Sequence, residues 1–237
     1  MLLMCHLFIG LIIGLVAFKY MKDRRVVLLA AIGSILPDLI DKPLGHIILN
    51  GSVDYGRIYA HSGLFFIAIL VMGIAYHQKK GSWIMMGLAA GILSHLALDS
   101  MWELPVTVFY PLLGDFGMHH FPNYIGESLM KEIRSAYEWI FGASILAMLL
   151  FTYKDKLGER AKAVAKFTPV ILRCLALLLV TIGILSIIYA TLSFSNPLSG
   201  ETSAEENLIT GLAAGVGGSI AYRIWTCEKR NQIRVLR

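Results

Sequence analysis

The sequence predicts an all-α protein, a polytopic membrane helical bundle of about seven apolar segments, one of them broken or re-entrant around Pro37 to Pro43. Three observations carry this. Of the 237 residues, 57% are hydrophobic and only 16% are charged, whereas about a quarter of a soluble domain is charged. Mean hydropathy is +0.67. The apolar residues also fall in runs, several near the roughly 17–25 residues that a spanning helix needs, with short polar stretches between them.

The first run, Leu2 to Phe18, ends at Lys19, Lys22, Arg24 and Arg25. The second, Val26 to Leu36, is too short to span; it stops at Pro37-Asp38, and Leu44 to Leu49 continues it. The third, Ile58 to Tyr76, closes on His77, Lys79 and Lys80, and the fourth is Trp83 to Leu98. A stretch containing Pro105 and Pro111 and a polar loop lead to the fifth, Tyr137 to Tyr153. The sixth is Phe167 to Phe194 and the seventh Leu208 to Trp225, where Gly211, Gly215, Gly217 and Gly218 suit close helix packing. Residues 1–126 hold the candidate ligands, and 127–237 read as additional transmembrane helices that serve as scaffold.

Basic residues follow segments one, three, five (Lys154, Lys156, Arg160, Lys162, Lys166) and seven (Lys229, Arg230, Arg234, Arg237). The alternate loops are poor in Lys and Arg, and Ser195 to Asn207 is acidic. This alternation predicts an integral membrane protein with the N-terminus outside and the C-terminus in the cytoplasm. The net charge of +5 is then explained by topology and by contact with anionic headgroups. Membrane lipids are the expected partners and nucleic acid is not. Cys5, Cys174 and Cys227 are odd in number and show no metal or redox spacing, so no disulfide framework is expected.

Ionisable residues inside such helices are costly and mark functional sites. His95 and Asp99 stand four apart, on one face of an apolar helix. His6 lies thirteen positions from Lys19, Asp38 thirteen from Arg25, His61 sixteen from His77 and His95 fifteen from Lys80. At 1.5 Å per residue all four sit about 20–24 Å from the cytoplasmic boundary, one layer towards the outer leaflet. Imidazoles and carboxylates at one depth fit a divalent metal, zinc first and manganese as the alternative, as one or two ions. Asp38 reads as a ligand, and Asp41 as a ligand or as a group that orients one. Arg57 suits either a substrate anion or a pair with Asp54. His46, His119 and His120 are further candidates and Cys5 a weaker one; without a GxSxG motif a serine nucleophile at Ser62, beside His61, is disfavoured.

These residues stand in Cys-His-Leu-Phe-Ile-Gly (5–10), Gly-Ser-Ile-Leu-Pro-Asp-Leu-Ile-Asp-Lys-Pro-Leu-Gly (33–45), Gly-Arg-Ile-Tyr-Ala-His-Ser (56–62) and Ser-His-Leu-Ala-Leu-Asp-Ser-Met-Trp (94–102). In this ordered set the chain resembles the YdjM-like family of membrane-bound, metal-dependent hydrolases, which has a distant likeness to zinc-dependent phospholipase C and P1 nuclease. The resemblance implies His6, Asp38, Asp41, His61, His95 and Asp99 as metal ligands. The chain departs from the commoner pattern at Cys5 and in the wider spacing of its two aspartates. The expected activity is hydrolysis of a phosphoester or lipid-linked substrate by metal-activated water, with Asp38 or Asp41 orienting the water and Arg57 holding the anion. The alternatives are a metal or proton transporter using the same layer, and a non-catalytic protein with a structural metal.

Overall fold

The structure, a computed structural model, describes residues 3–153, 167–192 and 203–227, and every regular element among them is helical. The order is α1 (Leu3–Met21), α2 (Arg25–Gly33), α3 (Leu36–Pro43), a π-helical turn (Leu44–Ile48), α4 (Gly63–Lys80), α5 (Ile84–Leu98), a 3-10 turn (Met101–Glu103), α6 (Pro105–Val108), α7 (Tyr124–Arg134), α8 (Ala136–Tyr153), α9 (Thr168–Thr191) and α10 (Ala204–Cys227). The basic clusters expected at 154–166 and 229–237, and most of the loop 195–207, lie outside the described residues.

The expectation of about seven spans is corrected. Among the described residues two helices are long and apolar enough to cross a membrane, α1 and α9, or three if the bent pair Tyr124–Arg134 and Ala136–Leu150 forms one span. The shortfall has physical causes. The second apolar run breaks into α2 and α3, of nine and eight residues, and α5 has fifteen. At 1.5 Å per residue none of these covers a hydrocarbon core about 30 Å thick. The last turn of α4 is His77, Gln78, Lys79 and Lys80, which leaves Gly63 to Tyr76 as its apolar part. The first turn of α10 carries Glu205 and Glu206, and its body is rich in Gly and Ala rather than in large apolar residues.

The chain divides into two compact units, Met1 with Ile9–Lys131, and Leu2–Phe8 with Glu132–Arg237. In the first, α2 packs on α5 and α5 on α4 around Leu88, Ala89, Ile92 and Ile69, with Phe65, Phe66 and Leu29 against them. Gly33 and Gly91 permit this: a Cβ on either would strike backbone of the facing helix. In the second unit α9 and α10 pack through Gly183, Gly211 and Gly218 at backbone contact, the small-residue packing expected of the seventh segment. Tyr137 bonds Ser186 there. The Glu138 carboxylate accepts from the Met4 and Cys5 amides at 3.0 and 3.4 Å. An acidic group at the start of α1 satisfies donors that a helix N-terminus leaves open and complements its dipole.

Candidate metal centre

Three of the singled-out stretches converge in the first unit, because each side chain is presented at a helix end. The second apolar run breaks at Ser34-Ile35, not at the prolines: Pro37 falls in the first turn of α3, where its missing N–H costs nothing. The break exposes the Ser34 carbonyl and starts a new helix that buries Asp38 and Asp41. His61 precedes Ser62, the N-cap of α4, whose hydroxyl accepts from the Phe65 amide at 3.1 Å and donates to the Tyr59 carbonyl at 2.7 Å. That role makes Ser62 a helix cap. His95 lies in the last turn of α5, and Asp99 is its C-cap residue. A carboxylate at the negative end of a helix is electrostatically disfavoured, so its placement there calls for a compensating cation.

Asp38, His61, His95 and Asp99 are all buried and offer ligand atoms within 4.8 Å of one another. Both imidazoles are oriented from behind. Asp41 accepts from the amides of Ile58, Ala60 and His61 at 2.9, 2.9 and 3.1 Å, so it also accepts from His61 Nδ1, 2.8 Å away. His95 Nδ1 donates to the Ser34 carbonyl at 2.7 Å. With each Nδ1 held by an acceptor, both rings turn Nε2 inward, and the two Nε2 atoms stand 3.1 Å apart. Asp38 Oδ1 is 3.6 Å from one and 3.8 Å from the other. Asp99 Oδ2 is 3.8 Å from His61 Nε2.

Two inward-facing Nε2 atoms beside two carboxylates are donors of the kind a cation takes. Zinc bound at about 2.0–2.1 Å spaces tetrahedral ligands about 3.3 Å apart, and the observed separations bracket that value. The residues present therefore fit a divalent metal. The arrangement of a carboxylate behind His61 and a carbonyl behind His95 is the usual outer support of metal-binding imidazoles.

The outer side carries two cations. Lys42 Nζ is 2.7 Å from Asp38 Oδ2, and Arg57 Nε donates to Asp99 Oδ2 at 2.9 Å. Both are half-buried. Asp38 and Asp99 thus face two cationic side chains, and Asp41 behind His61 adds a third carboxylate, so that a divalent ion would turn a net negative charge positive.

Several expectations are sharpened. Asp41 has its oxygens taken by backbone amides and by His61, so it stands behind His61 and is not one of the four residues brought together. His6 is buried but belongs by contacts to the second unit and is not one of the four residues brought together. Arg57 pairs with Asp99, and Asp54 pairs instead with His46, at 2.9 Å. His119 stacks on Tyr55 and donates from its amide to the Val53 carbonyl at 2.9 Å, while the His120 side chain is 81% exposed; neither joins the group. Cys5 is buried at the start of α1. Ser34 and Lys42 were missed. Lys42 had a signal, the i, i+4 spacing from Asp38; a backbone carbonyl has none.

A search of curated proteins returned no match, and neither did a search of solved structures. A family model described as YdjM inner membrane protein matches residues 1–193, a range that contains all four clustered residues together with Asp41, Lys42 and Arg57. The chain is a membrane protein belonging to the YdjM inner membrane protein family.

Proposed function

We propose that this protein is a membrane-embedded, metal-dependent hydrolase acting on a phosphoester in a lipid or lipid-linked substrate. The observation that carries the reading is the pair of inward-facing Nε2 atoms, 3.1 Å apart and flanked by Asp38 and Asp99. Asp38, His61, His95 and Asp99 would hold the ion, zinc or manganese. Such an ion lowers the pKa of a bound water towards neutrality and polarises a phosphoryl oxygen. Asp41 and the Ser34 carbonyl keep the two imidazoles in the ligating tautomer. Lys42 and Arg57 hold the outer carboxylate oxygens and offer their remaining N–H groups to an incoming anion. Burial of the group excludes bulk water, which strengthens each of these interactions. The alternation of charge between loops supports a site towards the outer leaflet, with the N-terminus outside.

Elemental analysis of protein purified in detergent without chelator tests the centre. Wild type should carry stoichiometric zinc or manganese, and His95→Ala and Asp99→Asn should lose it while expressing normally. Metal content unchanged in both variants would sink the assignment. The metal-loaded protein should then hydrolyse bis(p-nitrophenyl) phosphate or release phosphorylated headgroups from mixed lipid micelles. Stoichiometric metal with no turnover of either would leave a metal site and remove the hydrolase.

A further inference from the structure

The helix α7 has its two sides reversed from what a water-soluble protein needs. At 3.6 residues per turn, Ile125, Leu129, Met130 and Ile133 fall within an arc of about 140°. Glu127, Ser128, Lys131, Glu132 and Arg134 take the opposite side. A surface helix of a soluble protein buries its apolar stripe and shows its polar one. Here the apolar side faces out: Ile125 is 58% exposed, Leu129 53%, Met130 51% and Ile133 49%. Tyr124, Ser128 and Glu132, at i, i+4 spacing on the other side, are half-buried. An outward stripe of large apolar residues marks contact with a protein partner or with a membrane.

The surroundings of the stripe favour lipid. The chain belongs to an inner-membrane family. The outward positions of the next helix, Trp139, Leu146 and Leu149 of α8, are also apolar and exposed. The two helices meet at Ser135, within the second unit, with a bend of 70°. With α8 along the membrane normal, that bend (90° − 70°) leaves α7 about 20° from the membrane plane. Eleven residues reach only about 16 Å, too short to cross a hydrocarbon core about 30 Å thick. The Trp139 indole donates to the Ile133 carbonyl at 2.8 Å, so a side chain typical of the membrane boundary stands at the junction. At its other end α7 is tied to the first unit, where Tyr124 stacks on His46 with centroids 3.5 Å apart. Its polar side carries two acidic and two basic residues, Glu127, Glu132, Lys131 and Arg134, and so has no preference for anionic headgroups. The apolar stripe alone holds the helix to lipid.

We propose that α7 is an in-plane membrane helix, with Ile125, Leu129, Met130 and Ile133 among the upper acyl chains and Glu127 and Lys131 in the hydrated headgroup layer. This rests on the family assignment and not on the hydrolase reading. Full-length protein tests it, with Cys174 and Cys227 replaced by Ser and the buried Cys5 retained. Single cysteines are labelled with a nitrobenzoxadiazole fluorophore, and the protein is reconstituted in phosphatidylcholine vesicles. Fluorophores on Ile125→Cys, Leu129→Cys and Ile133→Cys should be quenched about twofold more by lipids with a nitroxide at the headgroup end of the acyl chain than by lipids with one at the tail end. Those on Glu127→Cys and Lys131→Cys should respond to aqueous iodide and to neither lipid. Ile125 to Ile133 covers about 12 Å of helix, of which a tilt of about 20° turns about 4 Å into depth. A spread of depths nearer 12 Å than 4 Å, or lipid quenching on both sides of the helix, would make α7 part of a span and overturn the proposal. Absence of lipid quenching along the stripe overturns it too. Iodide then separates a stripe shielded by a second copy of the chain from one left in water.

Discussion

At the scale of single residues, the four clustered side chains and the groups behind them differ in what their loss should do. Asp41 accepts three backbone amides and the His61 ring, so Asp41→Asn should weaken zinc binding by about 10–100-fold, the usual cost of losing an outer partner. A chelator-competition titration measures this, and a variant as metal-free as Asp99→Asn would show Asp41 to be a ligand after all. Asp54 offers a pH test. The Phe121 amide, and after it the His46 side chain, hold its carboxyl below the ordinary value of 3.8. A lowered folded-state pKa stabilises above the unfolded value and is lost only as pH falls through the folded one. The loop at Phe121 should therefore stay docked from pH 7 to pH 5, with intrinsic-rate-corrected hydrogen exchange of residues 115–123 unchanged. Asp54→Ala should speed that exchange at pH 7. The depth of Asp38, His61 and His95 was legible from their distances to basic loop residues. The pairs Arg57 with Asp99 and His46 with Asp54 were not, because nothing local to Arg57 distinguishes a partner 42 positions away from one three positions away.

At the scale of elements, the centre depends on how closely α2 and α5 approach. Gly91 packs on the Ala30 carbonyl and the Ser34 amide, and a Cβ there would come within 2.8 Å of that amide. Gly91→Ala should push the helices apart, at a cost of about 1–3 kcal/mol from overpacking. It should also weaken metal binding, because the displaced Ser34 carbonyl is what holds His95. Thermal unfolding in detergent and zinc titration together check this; a destabilised variant with wild-type zinc affinity would uncouple the helix contact from the site. A broken second segment was legible in Pro37 and Pro43, but its position was not. Proline reads as a breaker in sequence, whereas at the first turn of a helix it is accommodated, so the chain breaks three residues earlier. The caps show the same asymmetry. Ser62 carries a familiar N-cap residue type, while the end of α5 at Asp99 and the left-handed Ser100 (φ 52°) bear no such signature.

At the scale of the whole molecule, composition made the helical membrane class legible but overstated the number of spans. Hydropathy counts apolar residues in a row, and it does not see that a run such as Val26 to Leu49 is folded into three short pieces that bury side chains against protein. The charge pattern is a property of loops, and the orientation read from it rested on seven crossings. Gln78 lies in the polar last turn of α4, beside Lys79 and Lys80, and Gly51 lies in the loop between the π-helical turn and His61; both positions are exposed. α4 is not among the helices long and apolar enough to cross; if it nevertheless crosses and basic loops face the cytoplasm, the two report opposite sides. In a background with Cys174 and Cys227 replaced by Ser, and Cys5 retained because it is buried, Gly51→Cys should react with a membrane-impermeant maleimide in intact spheroplasts. Gln78→Cys should react only after lysis. The reversed pattern would put Lys42, Arg57 and the buried group on the cytoplasmic side, and the substrate would then be sought among lipids of the inner leaflet. Labelling of both positions before lysis would mean that α4 does not cross the membrane, and the site would be reached from the surface and not from within the bilayer.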